Sequence, residues 1–227
     1  VVKTERASKT AARNRGDKAA SAFPRVYLDA DALLDRRALQ QLATALQGGT
    51  WLAAAPKMRV NWSRSSWPVR AFYRVWLELP YHRRGMIGSG VYALSAAGRE
   101  RFEDFPEIIA DDGYVRARFD ESERVTLDDC SFTITAPTNL RDLIRVKTRS
   151  RLGLWELGLR FPQTRPRERK NWKWATGQLL TRPRLWPDLP IYALIVLVIR
   201  LRARRMMPQL SDYRWERDES SRQATLQ

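Results

Sequence analysis

The chain has 227 residues, of which 44% are hydrophobic and 29% charged, and its formal net charge is +16. This composition excludes a disordered chain and a polytopic membrane protein, and the length suits one domain with an appendage. The positive charge favours anionic partners, namely nucleic acid, an acidic membrane surface or phosphorylated substrates. Because the arginines are spread along the chain and no nucleic-acid motif is present, nucleic acid is the least favoured of these partners.

Cysteine and histidine each occur once, as Cys130 and His82. A single cysteine excludes a disulfide framework and a cysteine-based zinc site, and it fits a reducing compartment. We expect Cys130 to be a buried structural thiol in a strand. A single histidine excludes histidine metal clusters and most Ser-His or Cys-His nucleophile systems. The chemistry of the chain is therefore expected to depend on carboxylates.

An apolar run, residues 26–28, ends in Asp29-Ala30-Asp31 and is typical of a buried strand. Side chains at i and i+2 of a strand project to the same side, so Asp29 and Asp31 can converge on one ligand. Ligands of open α/β sheets bind beyond the carboxyl ends of the strands. Two acids there suit a hard divalent cation that shares its oxygen ligands with phosphates. The alternative is a polar turn that caps a strand.

Strand and helix patterns alternate after this segment. The predicted helices lie between Asp35 and Gly48, between Ser66 and Pro80, and over residues 96–104, 115–119 and 140–159, and the predicted strands are 51–55, 86–94 and 125–136. Helices are indicated by apolar spacing of i, i+3, i+4 and i+7, with capping residues and prolines at their ends. This alternation predicts an α/β architecture with a largely parallel sheet.

Two of these segments carry candidate site residues. The predicted strand 86–94 contains Gly88-Ser89-Gly90, and glycine within a strand marks either the close approach of a ligand or a bulge. Residues 108–110 lead into a second acid pair, Asp111-Asp112, whose alternative role is to cap a helix.

The composition changes near Phe161, so we predict a domain of residues 1–160 and a basic, tryptophan-rich extension of residues 161–227. Within the extension, residues 189–199 carry no charge and are followed by arginines. This segment is shorter than the roughly 20 residues that cross a bilayer. It predicts either an interfacial helix, with peripheral membrane contact through residues 185–205, or a buried helix of the same domain.

Three motifs, residues 26–31, 88–94 and 108–114, stand in an order and spacing that resemble the family 2 glycosyltransferases. The resemblance covers roughly residues 11–155. It implies a GT-A fold, which is a Rossmann-like, mostly parallel sheet flanked by helices, here with a C-terminal helical extension. It also implies that the chain transfers a sugar, with inversion, from a nucleotide-diphosphate sugar to the hydroxyl of a glycan or lipid-linked acceptor.

The same resemblance implies a role for each acid. Asp29 and Asp111 would contact the donor, and Asp31 would hold a Mn²⁺ or Mg²⁺ that bridges the diphosphate. Asp112 would be the general base that takes the proton from the acceptor hydroxyl. Gly88, Ser89 and Gly90 would line the acceptor and donor-sugar side.

Arg149 and Arg151 lie in a basic stretch where processive relatives carry a Gln-x-x-Arg-Trp motif that is not present here. Arginine pairs well with diphosphate oxygens through its forked donors, so we expect these two residues to bind the donor. The alternative is a solvated basic helix face.

Residues 9–17 resemble the Lys-x-x-Ala-x-Asn-x-Gly helix that precedes the first acid motif in this family, yet only 28 residues precede Asp29. A single βαβ unit needs about 30 residues or more. We therefore expect a GT-A domain that is incomplete at its N-terminus and binds nucleotide weakly or not at all. We expect the protein in the cytoplasm, at the inner face of the cell membrane. The alternative function is a basic module that binds nucleic acid or anionic membrane without catalysis.

Overall fold

The computed structural model describes residue 3 and residues 8–34, 36–79, 90–164, 177 and 181–208. The helices are α1 (Lys9–Ala19), α2 (Arg36–Gln47), α3 (Trp67–Trp76), α4 (Ala96–Arg99), α5 (Asp111–Arg116), α6 (Leu140–Arg160) and α7 (Leu189–Met206). The strands are β1 (Arg25–Leu28), β2 (Ala32–Leu34), β3 (Ala53–Asn61), β4 (Val91–Leu94) and β5 (Arg124–Thr135). Asp35, His82, Gly88 and Ser89 lie outside the described residues.

The five described strands form one mixed sheet in the order β1-β4-β3-β5-β2. β4 is antiparallel to both β1 and β3, β2 is antiparallel to β5, and β3 and β5 run parallel. The chain is therefore α/β as predicted, but the prediction of a mostly parallel sheet is wrong. The apolar runs at the start of β3 and in β4 are fully buried, whereas β1 is only partly buried and Leu28 is exposed. Burial of a strand on both faces produces apolar runs whichever direction its neighbour takes. The sequence pattern reports burial and not the direction of the neighbouring strand.

Local signals predict the longer helices well. α2 and α6 match their predicted bounds within a residue or two, and Asn139 caps α6 by accepting a hydrogen bond from the Asp142 backbone N–H. α3 follows Ser66 and has a proline in its first turn, as expected. Cys130 is buried in β5, which confirms its predicted position.

Three other elements differ from their predicted bounds. β3 extends to Asn61 because it pairs in parallel with β5 beyond an irregularity at Pro56/Lys57. α4 ends at Arg99, whose guanidinium donates to the carbonyl oxygens of Phe102 and Glu103 and turns the chain. α5 begins at Asp111 and not at residue 115, so the acid pair lies in its first turn.

α7 is buried on one face and exposed on the other. Ile195 and Ile199 pack with Phe72 of α3 and Leu143 of α6 in one hydrophobic cluster. The opposite face presents several large apolar side chains to solvent. The packed face agrees with the predicted buried helix, whereas peripheral membrane contact through residues 185–205 stays a prediction. Over the described ranges, every helix is too short or too polar to cross a membrane. The domain boundary at residue 160 stays a prediction.

Candidate functional site

Hydrogen bonds hold helix α1 against the segment that leads into α5. The Ser8 hydroxyl caps α1 by accepting a hydrogen bond from the Ala11 N–H. The Asn14 side chain makes a pair of hydrogen bonds with the backbone of Phe105: its amide donates to the carbonyl at 3.0 Å, and its carbonyl accepts from the N–H at 2.7 Å. These bonds set the position of α1 beside residues 105–111.

A buried carboxylate near the end of α1 fixes the helix to the sheet. Asp17 accepts hydrogen bonds from the Tyr27 hydroxyl at 2.8 Å, from Arg25 at 2.6 Å and from the Arg99 Nε. Burial alone would raise the pKa of Asp17, but the hydrogen bonds from Tyr27, Arg99 and Arg25 outweigh it and lower this pKa. α1 is therefore held at both ends, with its middle facing the acid motifs.

Asp29 and Asp111, the first acids of the two motifs, form ion pairs with the same two basic residues of α1. Arg13 donates from Nη2 to Asp29 Oδ1 at 2.9 Å and from Nη1 to Asp111 Oδ2. Lys9 Nζ lies 3.1 Å from Asp29 Oδ1 and 3.3 Å from Asp111 Oδ1. We call these four residues the charge cluster. It joins the turn after β1 to the start of α5, which are far apart in the sequence.

The charge cluster is partly shielded from water. The side chain of Asp111 is 2% exposed, that of Arg13 is 11% exposed and that of Asp29 is 26% exposed. Burial raises the pKa of Asp111 although the charges of Lys9 and Arg13 oppose it. Burial disfavours the charged form of Arg13, yet Tyr92 and the carboxylates of Asp111 and Asp29 raise its pKa overall. Arg13 therefore stays charged and orients both carboxylates.

The second acid of each motif is more exposed than the first. Asp29 to Asp31 form a turn, since the Ala32 N–H donates to the Asp29 carbonyl at 3.1 Å, so the i, i+2 rule for strands does not apply here. Asp31 is exposed in this turn. Asp112 is half-buried, and its negative charge contributes to the raised pKa of Asp111.

Gly90 links the glycine motif to the acid turn. Its carbonyl accepts a 2.7 Å hydrogen bond from the Asp29 N–H. Its φ is +121°, and a Cβ there would lie 3.3 Å from the Phe132 ring and 3.4 Å from Ala32. Only glycine satisfies both conditions. Gly90 thus lies beside the first acid motif, and its role on the acceptor and donor-sugar side stays a prediction.

The two arginines of α6 occupy different surroundings from the acids. Both are half-buried. The Arg151 guanidinium lies 5.4 Å from the centroid of the Trp155 ring. Its pKa is lowered by burial and by the positive charges of Arg200 and Arg204 in α7. The assignment of Arg149 and Arg151 to the donor stays a prediction.

Sequence reasoning did not assign a role to Lys9 or Arg13, although both stand in the helix motif that it recognised. Their spacing of four residues places them on one face of α1. That signal indicates a basic face but not what it contacts. Tyr92, whose hydroxyl lies 3.3 Å from Arg13 Nη1, had no signal beyond its place in a strand.

In the part of the chain that the structure describes, three or more His, Cys, Asp or Glu side chains do not gather as a metal site. Asp29 and Asp111 instead hold Lys9 and Arg13. A Mg²⁺-like ion needs one or two carboxylates and takes its other ligands from substrate phosphates and water. Asp31 is exposed and can supply one such carboxylate, and its role as a metal ligand stays a prediction.

Comparisons with known proteins support the fold. No family model matches the chain, and no curated protein matches it. Among solved structures, the chain is similar to the mannosyltransferase PcManGT from Pyrobaculum calidifontis in complex with GDP-Man and Mn²⁺. The two are 22% identical with a TM-score of 0.53, over 93% of this chain and 66% of that chain. The protein therefore has a mixed α/β fold similar to that of a glycosyltransferase.

Proposed function

We propose that this chain transfers a sugar from a nucleotide-diphosphate sugar to an acceptor hydroxyl, with inversion, in the manner of a family 2 glycosyltransferase. The observation that carries the proposal is the pairing of Asp29 and Asp111 with the same Lys9 and Arg13. Two acid motifs that act on one donor must lie together, and separate faces of the molecule would have excluded this function. The fold likeness to an enzyme bound to GDP-Man supports a nucleotide-sugar donor.

Asp29, Asp31 and Asp111 form the donor side of the proposed site. Asp31 would hold a Mn²⁺ or Mg²⁺, which supplies Lewis-acid stabilisation of the charge on the leaving diphosphate. Lys9 and Arg13 hold Asp29 and Asp111 in position through ion pairs. Lys9 is also 34% exposed, so its ammonium is open to the anionic donor. A positive charge next to the acids lowers the electrostatic cost of bringing a diphosphate to them.

Asp112 acts as the general base in this proposal. It is the more exposed acid of its pair, because Asp111 is buried and held by Arg13. The acceptor oxygen forms a bond to the anomeric carbon, the bond from that carbon to the diphosphate oxygen breaks, and the hydroxyl proton moves to the Asp112 carboxylate. Gly90, and outside the described residues Gly88 and Ser89, would line the sugar and acceptor side. The predicted contact of Arg149 and Arg151 with the diphosphate is not part of this proposal, because Arg151 lies beside Arg200 and Arg204 of α7.

The proposal is tested by donor binding and sugar transfer. We expect calorimetry to detect weak, Mn²⁺-dependent binding of GDP-mannose or another nucleotide-diphosphate sugar, and Asp31→Ala to abolish it. Asp112→Asn should keep donor binding but lower transfer by about 10²–10⁴-fold, the usual contribution of a general base. Asp129→Asn, which removes an exposed acid of β5, is the matched control and should change neither.

Two results would contradict the proposal. One is no binding of any nucleotide-diphosphate sugar in the presence of Mn²⁺. The other is binding that ignores Asp31→Ala and Asp112→Asn but falls steeply with added salt, which would indicate a basic binding module instead.

A further inference from the structure

The outer face of α7 exposes a continuous apolar stripe. Leu194, Leu197, Val198 and Leu201 are 59%, 52%, 38% and 45% exposed. Their spacing of i, i+3, i+4 and i+7 places them on one side of the helix. The other side of α7 is already packed against α3 and α6. The stripe therefore takes no part in the packing of α7 against α3 and α6 and stays exposed to solvent.

Positive charge surrounds this stripe. Arg200, Arg204 and Arg205 are exposed, and α7 contains no acidic residue from Leu189 to Met206. Trp186, which is 52% exposed, lies in the 3-10 turn just before α7. Tryptophan prefers the boundary between headgroups and acyl chains, and arginine pairs with phosphate. The face combines the side chains that an anionic lipid surface attracts.

Arg151 of α6 adds a third charge to Arg200 and Arg204 of α7. Burial and these two like charges lower the pKa of Arg151, so the cations repel one another in the absence of an anion. Within the described ranges, Nε of Arg151 is buried and makes no hydrogen bond. An anionic phosphate would relieve this repulsion. A second copy of the same face would bring more arginines to the patch, so charge favours the lipid over self-association.

We propose that the outer face of α7 docks on an anionic phospholipid bilayer, with the apolar stripe at the headgroup boundary and Arg200, Arg204 and Arg205 on lipid phosphates. In this arrangement α7 lies parallel to the membrane surface, as amphipathic interfacial helices do. This proposal does not depend on the proposed sugar transfer, because its tests measure binding to lipid alone.

Vesicle flotation of the 227-residue chain tests the apolar part. We expect binding to vesicles of about 70% phosphatidylcholine and 30% phosphatidylglycerol and little binding to pure phosphatidylcholine. Leu194→Glu/Leu197→Glu should reduce the partition coefficient at least about tenfold, since it places two charges in the stripe that the bilayer would cover. The matched control is Leu154→Glu/Leu159→Glu, which changes leucines of α6 that are 53% and 63% exposed. This control should bind nearly as the wild type does.

The basic part is tested by charge removal at equal net charge. Arg204→Gln/Arg205→Gln should weaken binding to the anionic vesicles by about 30-fold at low salt, from about fivefold for each basic residue at such a surface. Arg36→Gln/Arg141→Gln removes two exposed arginines elsewhere and should weaken it far less. Circular dichroism and thermal melting of every variant check that the fold is retained.

Three results would overturn the proposal. The first is a chain that does not float with anionic vesicles at all. The second is an equal loss of binding from the two glutamate pairs, which would indicate adsorption through net charge alone. The third is a dimer, detected by light scattering after gel filtration, that Leu194→Glu/Leu197→Glu dissociates, which would make this face an interface between copies of the chain.

Discussion

Gly153 of α6 sits where the helix touches the chain that carries the second acid pair. A Cβ at this position would lie 2.9 Å from Ile109 Cγ2 and 3.0 Å from both the Cβ and the backbone N of Ala110. Ala110 directly precedes Asp111. Replacement of Gly153 by alanine should therefore push the start of α5 away from α6 and disturb the charge cluster.

The magnitude follows from two opposing contributions. Alanine stabilises a helix interior by up to about 1 kcal/mol relative to glycine. Overpacking of this kind costs about 1–3 kcal/mol, and here the crowded atoms include backbone, which cannot swing away. Gly153→Ala should thus lower the free energy of unfolding by about 0–2 kcal/mol. Gly158 lies in the same helix, and a Cβ added there would have no atom within 4 Å, so Gly158→Ala should raise this free energy by up to about 1 kcal/mol.

Urea denaturation of both variants measures the comparison. The clash should separate the two midpoints by roughly 0.5–1 M, with unchanged slopes. Gly153→Ala should also weaken binding of the donor, because Asp111 moves, whereas Gly158→Ala should not. Equal stabilisation by the two substitutions would refute the inferred contact between α6 and Ala110.

Three further predictions concern buried charges. Arg13→Met leaves the Asp111 carboxylate poorly compensated and should lower the free energy of unfolding by about 3–5 kcal/mol. Adding Asp111→Asn should recover part of this loss. Strictly additive effects in the double-mutant cycle would contradict the pairing. The pKa of Asp17 is lowered from 3.8 by its hydrogen bonds, so the stability it contributes is present above about pH 4 and is lost as pH falls through the folded-state pKa. Asp17→Asn should lower the free energy of unfolding by about 3–5 kcal/mol at pH 7 and by progressively less in acid. A difference in stability between wild type and variant that stays constant with pH would contradict this prediction. Lys147 lies 3.5 Å from the centroid of the Trp76 ring, and burial lowers its pKa from 10.5 to about 7. Wild-type stability relative to Lys147→Met should therefore rise between pH 7 and 10.5. We expect a rise of about 1–2 kcal/mol because the Lys147 residue keeps part of its exposure to water, and a flat difference would refute the shift.

Local features of the fold were predictable because they depend on neighbours in the chain. The apolar spacing of α2 and the proline after Ser66 both act within one or two helical turns. The acid motifs were also recognisable as short patterns that end an apolar run. The predicted bounds were wrong where a distant contact decides them, as at β3, which extends to Asn61 because it pairs with β5.

The composition of the candidate site was only partly predictable. Asp29 and Asp111 were candidates from their motifs, whereas Lys9 and Arg13 were visible only as one basic face of α1. The spacing of Lys9 and Arg13 does not indicate that this face contacts Asp29 and Asp111. The hydrogen bonds of Asn14 and Asp17, which hold α1 in that position, join residues far apart in the chain.

The sequence by itself determined the longer helices and the acidic motifs, because each is encoded by spacing within a few residues. Only the tertiary structure decided the strand directions, the meeting of Asp29 with Asp111, and which face of α7 is buried. Strand direction and ion pairing depend on the path of the chain between the partners. A local pattern of apolar and charged residues is compatible with several such paths, and packing selects one of them.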